Sequence, residues 1–179
     1  TTPAGATLAC TTNPLGAVAG VASFAGCNIN FAGTYTLTAT DGGLATAASS
    51  SLTITVGAAA KVVFTTQPGG SSGGTAFAVQ PVVAVQDVVG NTVTTDTSDV
   101  LLAITTPAGA TLLCTPNPKA AVAGVATFAG CAIDHSGTYT LTASDGALTT
   151  ATSSSLTITV GAAAKLAFTT QPSGSTGGL

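Results

Sequence analysis

Few residues in this chain have a type and spacing that could do chemistry, and the four cysteines lead them. Cys10 and Cys27 are separated by the same interval as Cys114 and Cys131. An even count, paired in this way, reads as one disulfide in each half: Cys10 with Cys27 and Cys114 with Cys131. Such bonds persist outside the reducing cytosol. A closed loop of this length stabilises a fold by roughly 3 kcal/mol in the chain-entropy view. Free buried thiols are the competing reading. A metal is poorly served, because there is no CxxC pair and His135 is the only histidine.

The remaining candidates are weaker. His135 lies beside Asp134, with no serine arrangement that suggests a triad, and reads as an exposed loop residue. Asp87, Asp96 and Asp99 could gather at one end of a β fold and offer oxygens to calcium. Ordinary turn and cap chemistry is the preferred account of all three. Lys61 and Lys165 recur at one point in the pattern, and read as solvated edge-strand lysines rather than cross-link sites. The glycine-rich stretch 69–74 lacks the GK[ST] ending of a phosphate cradle. No cofactor and no catalysis are expected.

The elements that must position these residues are announced by repetition. TTPAGATL at 1–8 returns as TTPAGATL at 105–112, a shift of 104 residues (105 against 1) that holds without a gap to the end. About three-quarters of the overlapped positions are identical, which marks a tandem array. A period near 100 is the size of a free-standing domain, whereas solenoid repeats are far shorter. In the second copy, Phe31 becomes His135, so His135 is not needed in every repeat.

Composition narrows the class. The chain has 179 residues, three Lys, six Asp and a net charge of −3, with no Arg, Glu, Met or Trp. No basic patch can form to engage nucleic acid. Uncharged stretches are interrupted by Thr, Ser, Gly and Pro, so no continuous apolar run reads as a membrane span. Abundant Val, Ile, Leu and Thr argue against disorder.

Apolar residues recur with period two, never with a sustained helical stripe. Tyr139, Leu141 and Ala143 share one face, with Thr138, Thr140 and Thr142 on the other; Tyr35, Leu37 and Ala39 repeat this. Strands are predicted over 61–66, 77–87, 92–97, 100–105, 111–114, 124–133, 138–144 and 155–160, about seven in all, to within one strand in how the middle divides. Gly90-Asn91, Asp41-Gly42 and Asp145-Gly146 mark turns between strands. Cys131 and Ile133 are out of phase with Ala126 and Phe128, which calls for a bulge near Gly130. The fold class is therefore all-β: tandem β-sandwiches of antiparallel strands.

The division is 1–57 as the back part of one repeat, 58–160 as a complete repeat and 161–179 as the front strand of a third. Gly57-Ala58-Ala59-Ala60 is a short linker that limits bending. The outer pieces together lack the counterpart of 76–104. This favours a window from a longer array, with a gapped subunit that polymerises as the alternative. No leader-like segment opens the sequence.

Three stretches carry a family resemblance. VVAVQDVVGNTVT at 82–94 holds D-x-x-G-N-x-V; GVATF at 124–128 is followed by GTYTLTA at 137–143. In that order they resemble bacterial immunoglobulin-like (Big-type) repeats of invasin- and intimin-like surface proteins. The cysteine pair is not a general feature of that family. The resemblance implies an extracellular stalk or fibre segment, with neighbouring repeats or identical chains as partners. Tyr35 and Tyr139 look like tyrosine corners, and Gly90 and Asn91 like structural turn residues. An adhesin module binding surface glycans or a receptor through end loops is the alternative.

Overall fold

The computed structural model describes residues 5–175 and 177, and among them every regular element is a strand. Six strands lie in 5–57: β1 (Leu8–Ala9), β2 (Asn28–Ile29), β3 (Gly33–Tyr35), β4 (Thr38–Ala39), β5 (Ala47–Ala48) and β6 (Leu52–Ile54). Residues 58–160 hold β7 (Lys61–Thr66), β8 (Ser71–Ser72), β9 (Val82–Gln86), β10 (Asp99–Ile104), β11 (Leu112–Leu113), β12 (Lys119–Ala120), β13 (Val125–Thr127), β14 (Ala132–Ile133), β15 (Gly137–Tyr139), β16 (Leu141–Ser144), β17 (Ala151–Thr152) and β18 (Leu156–Thr159).

Within 58–160, one layer runs β13-β9-β7. The other is built from β12-β10-β16-β17 and β15-β18-β8. These two sheets share the stretch 137–144, whose first half pairs with β18 and whose second half pairs with β10 and β17. Alternate residues of each strand turn inward, as period-two patterning requires. Val62 and Phe64, Val83 and Val85, Val100 and Leu102, Leu141 and Ala143, and Leu156 and Ile158 meet in one buried cluster. The front stretch changes layers. It pairs antiparallel with β9 through β7, then parallel with β18 through β8.

Several strands are shorter than their sequence patterns suggest. The run predicted from 77 becomes a strand only at Val82, because Pro81 has no N–H to give to a ladder. Phe77 is nonetheless buried, its N–H bonded to the Cys131 carbonyl. The predicted strand 92–97 shrinks to one bridge, Gln86↔Thr92, after which Asp96 N–H closes a turn onto Val93. The run 124–133 breaks between β13 and β14, where Gly130 adopts φ +60°. That break brings Ala126, Phe128, Cys131 and Ile133 all into the core. Lys61 is not on a free edge: it pairs with Gln86 on one side and bridges Thr149 on the other.

A hairpin at 122–125 escaped the sequence pattern. Val122 and Val125 pair across Ala123 (φ +50°) and Gly124 (φ +75°). Two positive φ values in a row define the mirror-image turn that suits strand twist. Alanine is an uncommon residue there, so the signal was weak.

The pairings of 5–57 reappear in 105–160 at the sequence period. Tyr35↔Leu52 matches Tyr139↔Leu156, Leu8↔Ile29 matches Leu112↔Ile133, and Ala39↔Ala47 matches Ala143↔Ala151.

Candidate functional site

The disulfides sit where paired strands end. Leu113↔Ala132 is the last partner pair of β11 and β14, and Cys114 and Cys131 follow it in register. Their sulfurs are 2.08 Å apart, and both residues are buried. Cys10 and Cys27 are bonded in the same way beside Ala9↔Asn28. Here the bond lies at the surface, with Cys27 exposed. Both bridges therefore clamp a two-residue ladder too short to hold alone.

The tyrosines serve a second clamp. Tyr35 Oη donates to the Phe31 carbonyl at 2.8 Å, and Tyr139 Oη to the Ser136 carbonyl at 3.3 Å. Both rings are buried. A hydroxyl returned to backbone a few residues upstream pins the turn that leads into the strand.

Asp87 is the most elaborately held polar group. Its side chain is 2% exposed. Oδ1 accepts from the N–H groups of Val89, Gly90 and Asn91 at 3.1, 2.9 and 2.8 Å. Oδ2 accepts from Asn91 Nδ2 at 2.8 Å and Gly57 N–H at 3.0 Å. Gly90 adopts φ +106°, a conformation glycine reaches without penalty. Burial pushes the Asp87 carboxyl up, but the Asn91 amide and the Gly57, Asn91 and Gly90 N–H groups outweigh it. The pKa is lowered to about 2. Each of these donors presents a hydrogen, not a lone pair, so this carboxylate is built to stay anionic within a loop.

Asp96 and Asp99 do not join it. Asp96 Oδ1 and Asp145 Oδ2 both face Ser98 Oγ at 2.5 Å, while Asp99 is exposed at the start of β10. Among the described residues no three His, Cys, Asp or Glu side chains form a metal-holding set. The calcium candidates Asp87, Asp96 and Asp99 are thus not gathered into one set; Asp87 and Asp96 each serve their own loop. The pairing of Asp96 with Asp145 through Ser98 went unseen in the sequence, because it spans two distant turns.

His135 is 67% exposed, and its Nδ1 is 2.8 Å from Asp134 Oδ1. That same oxygen accepts from Thr111 N–H at 2.7 Å. The Thr111 N–H first, and His135 after it, hold the Asp134 pKa down at about 2. Asn30 does the equivalent work in 5–57, accepting from Thr7 N–H at 2.8 Å.

A broad depression lies on 5–57, lined by Leu8, Phe24, Leu37 and Leu44 among others. It marks positions whose counterparts, Phe128 and Leu141, are packed inside 58–160.

An all-β chain held by short antiparallel ladders and two disulfides is the class these observations define. No family model and no curated protein matches it. Among solved structures it is similar to domains 4 and 5 of the S-layer protein SbsC, at 14% identity and a TM-score of 0.38. That match covers 72% of this chain and 66% of the other, slightly under two-thirds. No described helix is long and apolar enough to cross a membrane.

Proposed function

We propose that this chain is a non-catalytic structural segment of tandem immunoglobulin-like repeats in an extracellular bacterial fibre, stalk or filament. Residues 1–57 are the back of one repeat, 58–160 a complete repeat and 161–179 the start of the next, although the expected front strand is not formed among the described residues 161–175. The observation that carries this reading is the return of the same three strand pairings and the same disulfide one sequence period apart. Disulfides favour an oxidising, extracellular setting. Two clamps per repeat, the disulfide and the tyrosine hydroxyl, suit a part that bears load. With so few charges, little repulsion opposes contact between neighbouring repeats or identical chains.

Electron microscopy of the native protein on its parent cells tests this. The expected result is surface fibres with a periodicity of one repeat. A dispersed protein inside the cell would overturn the reading. Tight, saturable binding of the full chain to a glycan array, without fibres, would replace it with the adhesin alternative.

A further inference from the structure

We propose that the loop from Asp87 to Asn91 is a latch that fixes the orientation of residues 5–57 against residues 58–160. This goes beyond the fibre reading, since it concerns a joint inside one chain and stands whether or not that chain forms fibres.

The loop grips the preceding stretch at three backbone points. Asp87 Oδ2 accepts from Gly57 N–H at 3.0 Å. Asn91 Oδ1 accepts from Ala32 N–H at 3.1 Å. Asn91 Nδ2 donates to the Asn30 carbonyl at 3.4 Å, while also holding Asp87 Oδ2 at 2.8 Å. Asn91 thereby uses both ends of its amide on the other side of the joint. Its orientation is set by the carboxylate of its own loop, so the contact is preorganised rather than assembled on arrival.

The connecting chain has little slack. Ala60 N–H bonds the Gln86 carbonyl, and Thr149 N–H bonds the Ala60 carbonyl, so the ladder begins three residues after Gly57. Gly57 itself is packed: a Cβ there would meet Asp87 Oδ2 at 3.3 Å and Asp87 Cβ at 3.4 Å. Lys61 Nζ lies 3.4 Å from the Val88 carbonyl and braces the same loop from the side. Points on both 30–32 and 57 resist rotation in a way that one covalent connection cannot.

The D-x-x-G-N pattern thus does two jobs. Val89, Gly90 and Asn91 N–H groups shape the turn, and the remaining valences reach across the joint. The second job was not visible in sequence, because Asn30, Ala32 and Gly57 contribute only backbone atoms.

The test uses the full, isotope-labelled chain, followed by amide exchange and residual dipolar couplings. Two variants are compared with the parent. Asn91→Ala removes the grip on 30–32; Gly57→Pro removes the donor to Asp87 Oδ2 and sets its ring against that oxygen, while the Val89, Gly90 and Asn91 N–H bonds fall on the other oxygen, Oδ1. In the parent, Ala32 and Gly57 amides exchange about tenfold or more slower than open amides, and one alignment frame fits both stretches. In Asn91→Ala the protection of Ala32 is lost and the stretches need separate frames. Gly57→Pro also separates the frames. The Val62 and Leu141 amides report whether 58–160 still folds; if Asn91→Ala unfolds it, Gly57→Pro decides. Open-amide exchange at Ala32 and Gly57 in the parent overturns the latch. So does a single frame that still fits the folded variants.

Discussion

Two regions of this molecule carry nearly the same amino acids and end in different places. Phe128 is 1% exposed, and its counterpart Phe24 is 48% exposed. Leu141 is fully buried, whereas Leu37 is half-buried; Cys131 is inside and Cys27 outside. The ladders and the disulfide are nevertheless the same in both, and each tyrosine hydroxyl returns to a carbonyl just upstream, Phe31 in one and Ser136 in the other. Residues 58–160 also own β7, β9 and β10, which cover the inward face. Residues 5–57 have no counterpart of β9 or β10. Local pairing therefore forms from local residues, but burial depends on strands far away in sequence.

The largest expected effect tests that contrast directly. Phe128→Ala should destabilise 58–160 by about 4 kcal/mol, as a filled core site becomes a cavity, while Phe24→Ala should cost 5–57 under about 1 kcal/mol. Urea unfolding followed residue by residue by NMR measures both. Equal losses would break the comparison.

A glycine pair sharpens it. Gly124 and Gly20 both adopt positive φ, +75° and +78°. A Cβ on Gly124 would run into the Val93 carbonyl oxygen, but one on Gly20 meets nothing within 4 Å. Gly20→Ala should cost about 1 kcal/mol of left-handed strain. Gly124→Ala adds a backbone clash and should cost at least about 2 kcal/mol more by the same measurement.

Acid separates the regions next. The folded pKa of Asp87 is depressed, so its contribution is fully present above the unfolded value near 3.9 and is lost as pH falls through about 2. Asp87→Asn should lose about 2 kcal/mol at pH 7 and show almost no difference from the parent near pH 2. Residues 5–57 contain no counterpart of Asp87 and meet this titration only through the Gly57 N–H and the Asn91 grip, so their stability should follow it more weakly than that of 58–160. Urea midpoints at several pH values give the answer.

The smallest effect is a chemical shift. Thr111 N–H bonds a carboxylate on Asp134, whereas Thr7 N–H bonds a neutral amide on Asn30. The Thr111 amide resonance should move with a midpoint near pH 2, and the Thr7 resonance should stay flat. Asp134→Asn should make Thr111 behave like Thr7.

Much of the fold was legible because it rests on short-range rules. Alternation of Leu, Ile and Tyr with Thr placed β15, β16 and β18 on their correct faces, and the phase conflict around Gly130 located a real break. Asp145-Gly146 does close the hairpin between β16 and β17. Other parts were hidden because the competing influence was distant. The run 92–97 has strand composition but sits in a loop shaped by Asp87, Asp96 and Ser98. Lys61 looked like an edge residue until Thr149 was placed beside it. The 122–125 hairpin turns on an alanine in a left-handed conformation that its residue type does not advertise.

By itself, the amino-acid order determined the strand class, the period of the repeat and the spacing that lets each cysteine pair meet. These follow from side-chain alternation and from separations along one chain. Only the tertiary structure decided which of two near-identical sets of apolar residues lies inside, and that the Asp87 carboxylate and Asn91 amide reach across the joint. Burial and cross-chain hydrogen bonds depend on what other segments bring alongside, and backbone atoms that accept such bonds leave no trace in residue type.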